Sequence, residues 1–304
     1  MLRTMIILLS LALCLSIAAP ESLLINTTHL SQKFQEKCVH FLPKNSLEPQ
    51  SLASLLCGEK ITDTDLQKNL QRTSLIHIFV ISGSHLILLD ELLSILRIPL
   101  FVRILFLAFY SLVVGWQPPA VRALLALITR HSLKHFRLHL PPDLGVLAAG
   151  LITLSLFPAW WDSLSLLMSW CAALALCWGS LLRVKPPLAR LLLSQIGIFV
   201  FMSAPLWGLG SLHPLSLIYN LLLAPIVSYM LLPLAFLVTL MPSGVFVFDT
   251  VMDFFRQTLA FLSEPIVMHK TRPPSVTALW WWIVFWQVVM HFLRVHLWQG
   301  RDSR

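Results

Sequence analysis

"LSLIYNLLLAPIVSYMLLPLAFLVTL", residues 215–240, carries no charged side chain from end to end. A helix needs roughly 20 apolar residues to cross the hydrocarbon of a bilayer. A membrane-spanning strand would instead alternate apolar and polar positions over about ten residues. The stretch therefore reads as membrane helix. Pro225 and Pro233 each remove a backbone donor and break the helical ladder. Such interruptions are tolerated in lipid where protein or a water-filled cavity takes up the freed groups. Asn220 puts an amide in mid-membrane, where it can satisfy broken backbone or act as glue between helices.

The rest of the chain has the same character. Of its 304 residues, 57% are hydrophobic and only 12% charged, and the mean hydropathy is +0.78. A soluble domain needs more surface charge. The reading is an all-α, polytopic transmembrane helical bundle with broken or re-entrant helices. Its candidate segments are residues 74–96, 98–115, 119–129, 144–156, 163–182, 191–209, 215–240, 245–262 and 276–293, about 8–10 membrane segments in all, several shorter than a full span. The net charge of +8 is what basic cytoplasmic loops give many inner-membrane proteins and is no nucleic-acid signal by itself.

Residues 1–20 combine Arg3, a short apolar core and a small-x-small site at Ser16-Ile17-Ala18. This is a signal peptide or an N-terminal anchor, and in either case the following residues are exported. Residues 21–73 form a short exported segment of mixed charge with two cysteines, Cys38 and Cys57. An oxidising compartment allows a disulfide between them, worth roughly 3 kcal/mol for a loop of that length; the alternative is two unpaired thiols. Cys14, Cys171 and Cys177 lie in apolar runs and read as packing residues. Residues 74–244 form the main membrane domain, and 245–304 the C-terminal membrane helices and cytoplasmic tail.

Three basic clusters set the orientation. Arg130 to Arg137, Arg183 to Arg190, and the tail with Arg294, Arg301 and Arg304 are expected in the cytoplasm. Trp116, Trp160, Trp161, Trp207 and the Trp280-Trp281-Trp282 cluster then fall at outer ends, where indole prefers the interface. Lys270 and Arg272 run against the trend, on the outer side.

Polar groups inside apolar runs are the candidates for function. "HIFVISGSH", residues 77–85, sets His77, Ser82, Gly83 and His85 in one segment. Gly83 weakens a helix, and Ser82 and Ser84 offer local hydrogen bonds, which predicts a kink or break. Asp90 and Glu91 follow, and adjacent carboxylates in an apolar run must face a cavity, a partner or an interface. The alternative is an amphipathic helix near the outer surface with its polar groups wet. In "GWQPPAVRALLA", residues 115–126, Arg122 is a permanent charge in an apolar helix. It lines a polar path, snorkels, or pairs with Asp90 or Glu91; Arg103 is a similar case nearer a helix end. His131, His135 and His139 share helical spacing, but interleaved Arg and Lys make a solvated basic loop the better reading than a metal site. No metal site, cofactor motif or P-loop emerges. Ser82 as a protease nucleophile would need His77 or His85 as base in its own segment and has no recognisable oxyanion hole.

Four stretches in order resemble the ComEC/Rec2-type competence family over about residues 51–244: "LLCGEKITDTDLQKNLQRTSLIHIFVISGSHLILL", "PPAVRALLALI", "LSLLMSWCAALAL" and "PLSLIYNLLLAPIV". Ser84 stands where that family typically has leucine, Ile76 where it has a small residue, and Pro119 where it has serine. The resemblance implies an inner-membrane channel for single-stranded DNA uptake in natural transformation, multi-pass in the bacterial cytoplasmic membrane. The chain is expected to be the competence membrane domain on its own, without the exported OB-like domain or the metallo-β-lactamase-like nuclease that relatives often carry, so no enzyme activity and no cofactor are expected.

On that resemblance Arg122 offsets phosphate charge. His77, Ser82, Gly83 and His85 form a broken-helix lining, and Asn220 and Pro225 shape a second discontinuous helix. The implied partners are single-stranded DNA, an exported DNA receptor, a cytoplasmic ATP-driven motor, a separate nuclease and a second copy in a homo-oligomer. The alternative from another class is a non-transporting membrane scaffold that assembles with partner subunits.

Overall fold

A computed structural model describes residues 22–79, 83–137, 140–181, 187–207, 213–266 and 272–302. The expected leader at 1–20, Ser82, His139, Arg183, Lys185, Lys270 and Arg304 lie outside the described residues. The described residues are mainly helical, with no strand among them. In chain order they form α1 (Ser22–Phe41), α2 (Pro49–Cys57), α3 (Thr64–Arg72), α4 (Ile76–Phe79), α5 (Gly83–Ile95), α6 (Leu100–Val113) and α7 (Pro118–His135). Then follow α8 (Pro142–Leu156), a 3₁₀ turn (Pro158–Asp162), α9 (Leu164–Leu181) and α10 (Pro187–Leu206). The last are α11 (Ser216–Pro225), a π-helical turn (Ile226–Leu231), α12 (Leu232–Leu240), α13 (Val245–Ser263) and α14 (Val276–Asp302).

Among the described residues three helical runs are long and apolar enough to cross a membrane: Ala189–Leu206, Ser216–Leu240 and Val276–His296. Leu100–Val113, Pro142–Leu156 and Leu164–Gly179 are shorter apolar helices. Pro225 and Pro233 interrupt the ladder without parting the chain. α11 passes through the π turn into α12 as one helical run, and Pro233 follows two residues after that turn. The buried residues Tyr219, Leu223, Val227, Leu231 and Ala235 recur every fourth position. In a pure α-helix that spacing drifts by about 40° per step. The wider π turn takes up the drift and holds the stripe on one side.

The chain divides into two compact units. The first draws its described residues from 24–124 and 213–266. Its core joins Leu52, Leu55, Leu70 and Phe79 to Leu223, Leu231, Phe248 and Phe255, so the segment expected to be exported shares a core with α11–α13. α1 is held to this unit along one side. Ser31 Oγ donates to the Leu112 carbonyl at 2.7 Å, Gln35 Nε2 to that of Cys57 at 2.9 Å, and Phe34 meets Phe109 edge to face. Cys38 and Cys57 are joined in a disulfide. Gly58 ends α2 in the left-handed region, at φ 68°, where a side chain would run into the Val114 carbonyl.

Asp63 caps α3 by accepting from the amides of Asp65 and Leu66. The Leu66 amide, then Arg256 and the Asp65 amide, hold its carboxyl below the ordinary value of 3.8, against partial burial. A depressed folded value means that the charge stabilises the fold fully above the unfolded value and ceases to do so as pH falls through the folded one. Asp63→Asn is therefore expected to lower stability by about 1 kcal/mol at neutral pH. The gap in melting temperature should stay constant down to about pH 4 and close below it. A gap that persists at pH 2 would contradict this assignment.

The second unit draws on residues 125–207 and 272–302. α9 and α10 form its most extensive helix pair, and α14 packs on α8, α9 and α10. Gly150 lets α8 approach α9 closely, because any side chain there would overlap the Trp170 ring. α14 is fixed at both ends. Trp280 stacks on Trp161 at 4.5 Å and donates to the Trp161 carbonyl at 3.1 Å. Three to four turns on, Arg294 Nε pairs with Asp143 Oδ1 at 2.7 Å, His291 Nδ1 lies 3.5 Å from Asp143 Oδ2, and Gln287 donates to the Asp143 carbonyl. One end of this unit thus collects tryptophans and the other collects charge, in line with an outer aromatic belt and an inner basic side.

Candidate functional site

The residues singled out from the sequence lie mainly in the first unit. α7 begins immediately after the turn at 114–117, which Gly115 allows with φ 92°. Gln117 donates to the Gly58 carbonyl at 3.1 Å and pins this turn to the end of α2. Arg122 is one turn into α7, among Ala120, Val121, Ala123 and Leu124, and only 6% exposed. A guanidinium in such surroundings keeps its charge and demands polar company.

His85 lies in the first turn of α5 and is 1% exposed. Gly83 is buried at the start of the same helix. His77 falls in α4; its side chain, like all of Ser82, lies outside the described residues. Asn220 is buried in α11, and its side-chain carbonyl oxygen accepts no hydrogen bond from the described residues. Pro225 is exposed at the end of α11, where it leads into the π turn. The interruption expected there takes the form of a change in helical register.

Asp90 is a charge partner, and it pairs with Arg103. Arg103 Nη2 and Nε reach one Asp90 carboxylate oxygen at 2.7 and 2.9 Å, and both side chains are largely buried. The short link between α5 and α6 forms a helical hairpin that brings the two opposite one another. Glu91, one residue on, is exposed.

Beside α11 an apolar crevice is lined by Leu70, Leu75, Phe79, Leu223, Val227 and Phe255, with no room for a water molecule. A second hollow, of about 360 Å³, runs along α1 between Gln35, Glu36, Val39, His40 and Glu59. Neither is lined by the residues expected to form a DNA path. Among the described residues no cluster of three or more His, Cys, Asp or Glu side chains is placed to hold a metal.

The most extended polar arrangement in this unit was missed by sequence reasoning. Asp249, Arg256 and Ser263 recur every seven residues on α13 and reach successive points of residues 46–69. Asp249 accepts from Ser46 Oγ at 2.6 Å and from the Leu47 amide at 2.9 Å. Arg256 clamps both Glu48 carboxylate oxygens at 3.0 Å and reaches Asp63 at 2.7 Å. Ser263 donates to Asn69 Oδ1 at 2.9 Å. The heptad spacing of polar residues within an apolar run was the signal that could have revealed it.

These features define an all-helical membrane protein, with long apolar helices and charges buried inside its units. The model of the Competence protein family matches residues 55–300, and the chain belongs to that family, which is linked to DNA uptake. No curated protein and no solved structure matches the chain.

Proposed function

We propose that this protein is a multi-pass inner-membrane channel that carries single-stranded DNA during natural transformation. The observation that carries the reading is the buried Arg122, on the helix that follows the turn pinned to the end of α2, in a chain of the Competence family. A strand brings one negative charge per nucleotide, and hydrocarbon excludes it unless the path is wet and biased positive. Arg122 supplies fixed positive charge. His85 and the amide of Asn220 supply neutral polar groups in the same unit, and His77, Ser82 and Gly83 complete the lining. Nothing in this assignment supplies energy, so an ATP-driven motor in the cytoplasm, an exported receptor and a separate nuclease are the proposed partners, with a second copy of the chain in a homo-oligomer.

The test is uptake of labelled DNA in a strain lacking this protein, with and without the gene restored. Loss of protected intracellular DNA that returns on restoration supports the channel; undiminished uptake removes it. The dry crevice beside α11 favours a second reading, a non-transporting membrane scaffold. That reading expects partner proteins to lose their assembly in the deletion strain, and Arg122 to be dispensable.

A further inference from the structure

The sequence marks residues 245–262 as one more membrane segment, but the circumference of α13 has three distinct sectors. One sector is buried and holds Asp249, Arg256 and Ser263 against residues 46–69. A second is exposed and apolar: Val247, Phe254 and Phe261 are 51%, 64% and 73% exposed. At about 100° per residue these three fall within roughly 40° of one another. Between the two sectors on one side is an exposed flank that is polar at Thr250, Asp253 and Gln257, with Phe246 at its start; Gln257 donates to Asp253 at 2.8 Å.

A helix that crosses hydrocarbon has no place for exposed polar side chains over its middle two turns. The segment bound to its buried side raises the same objection. Glu59, Lys60 and Asp65 are exposed beside the residues that Arg256 and Ser263 hold, so carrying α13 across the bilayer would carry these charges with it. An apolar stripe bordered by a polar one, on a helix of 19 residues, is the pattern of a helix lying at a lipid surface.

We propose that α13 lies in the plane of the membrane, with Val247, Phe254 and Phe261 inserted at the boundary between headgroups and acyl chains, and does not span the bilayer. The partner of the apolar stripe is lipid. The ion pairs of Arg256 and the hydrogen bonds of Asp249 and Ser263 then moor residues 46–69 to that same surface. This assignment stands apart from the transport reading: a scaffold or a channel could use such a mooring equally.

The test is depth measurement on the full chain in phosphatidylcholine–phosphatidylglycerol vesicles. Nitroxide labels are placed singly at Val247→Cys, Phe254→Cys and Phe261→Cys, with Cys14, Cys171 and Cys177 replaced and the Cys38–Cys57 disulfide kept. Relaxation by oxygen and by an aqueous nickel chelate reads the depth. An in-plane helix gives the three labels one common, oxygen-rich depth, and a label at Gln257→Cys is markedly more open to nickel. A spanning helix gives depths that step by about 10 Å from one label to the next, which would overturn the proposal. Shielding of all three from both relaxants would also overturn it, because a protein surface would then cover the stripe. Side of exposure provides a second measurement that leaves the stripe intact. Ser243→Cys and Glu264→Cys, at exposed positions flanking α13, should react with an impermeant maleimide from the same face; reaction from opposite faces defeats the proposal.

Discussion

Replacing Arg122 with alanine is expected to lower uptake of labelled DNA by about 10–100-fold. A hydrogen bond to a charged group contributes about 1.5–3 kcal/mol, and each 1.4 kcal/mol is a factor of ten. Arg122 is 6% exposed and sits among small apolar residues of α7. No neighbouring residue of that helix turn can take over its charge, since Ala120, Val121, Ala123 and Leu124 are all apolar. Arg122→Lys keeps the charge and loses the planar fork, so it should recover part of the uptake if charge is what the strand meets. The amount of protein in the membrane is measured alongside, because a buried arginine also contributes to folding. Uptake at the wild-type level in Arg122→Ala, with normal protein abundance, would end the assignment of this residue to the DNA path. A fall in abundance that matches the fall in uptake would make Arg122 a structural residue.

The second large effect lies in the other unit. Asp143 is 1% exposed and holds Arg294, with His291 beside it, at the charged end of α14. Removing one member of a buried ion pair leaves the other charge unsatisfied, at a cost of about 3–5 kcal/mol. Asp143→Ala is therefore expected to lower the thermal stability of the detergent-solubilised protein by that amount. The double variant Asp143→Leu with Arg294→Met removes both charges and should regain most of the loss, because apolar replacements of similar size are often neutral. If the single and double variants are equally destabilised, the pair is not what secures α14. The Trp161–Trp280 stack at the opposite end provides a control, since Trp280→Phe removes one hydrogen bond and keeps most of the contact.

The helical membrane class was legible because long stretches without charge leave few other solutions in lipid. The order of motifs around Arg122 and Asn220 was legible as a resemblance to a family over about residues 51–244, and the family match, residues 55–300, includes both. Pairings were not. Asp90 lies close enough in sequence to Arg103 for a hairpin to join them, yet nothing in the composition fixes the turn that does so. Asp249, Arg256 and Ser263 looked like scattered polar residues in an apolar run, because their partners lie some 200 positions earlier in the chain. The heptad spacing marks the face they share, but the identity of such distant partners leaves no local trace. Asp143 and Arg294 were hidden for the same reason, each being unremarkable as the end of its own helix.

The π turn at Ile226–Leu231 has a consequence for what the gene can tolerate. One surplus residue is absorbed in that wide turn. Deleting a single residue there would let the chain relax into plain α-helix with α12 still in phase, whereas inserting one has no such outlet and would rotate α12 by about 100°. Leu234 and Leu237 would then arrive where the buried Ala235 and Val238 now sit, and a leucine side chain does not fit a space shaped for a methyl group. An in-frame loss of one codon in residues 226–231 should thus be better borne than a gain of one, a contrast that mutational scanning in any functional assay would reveal.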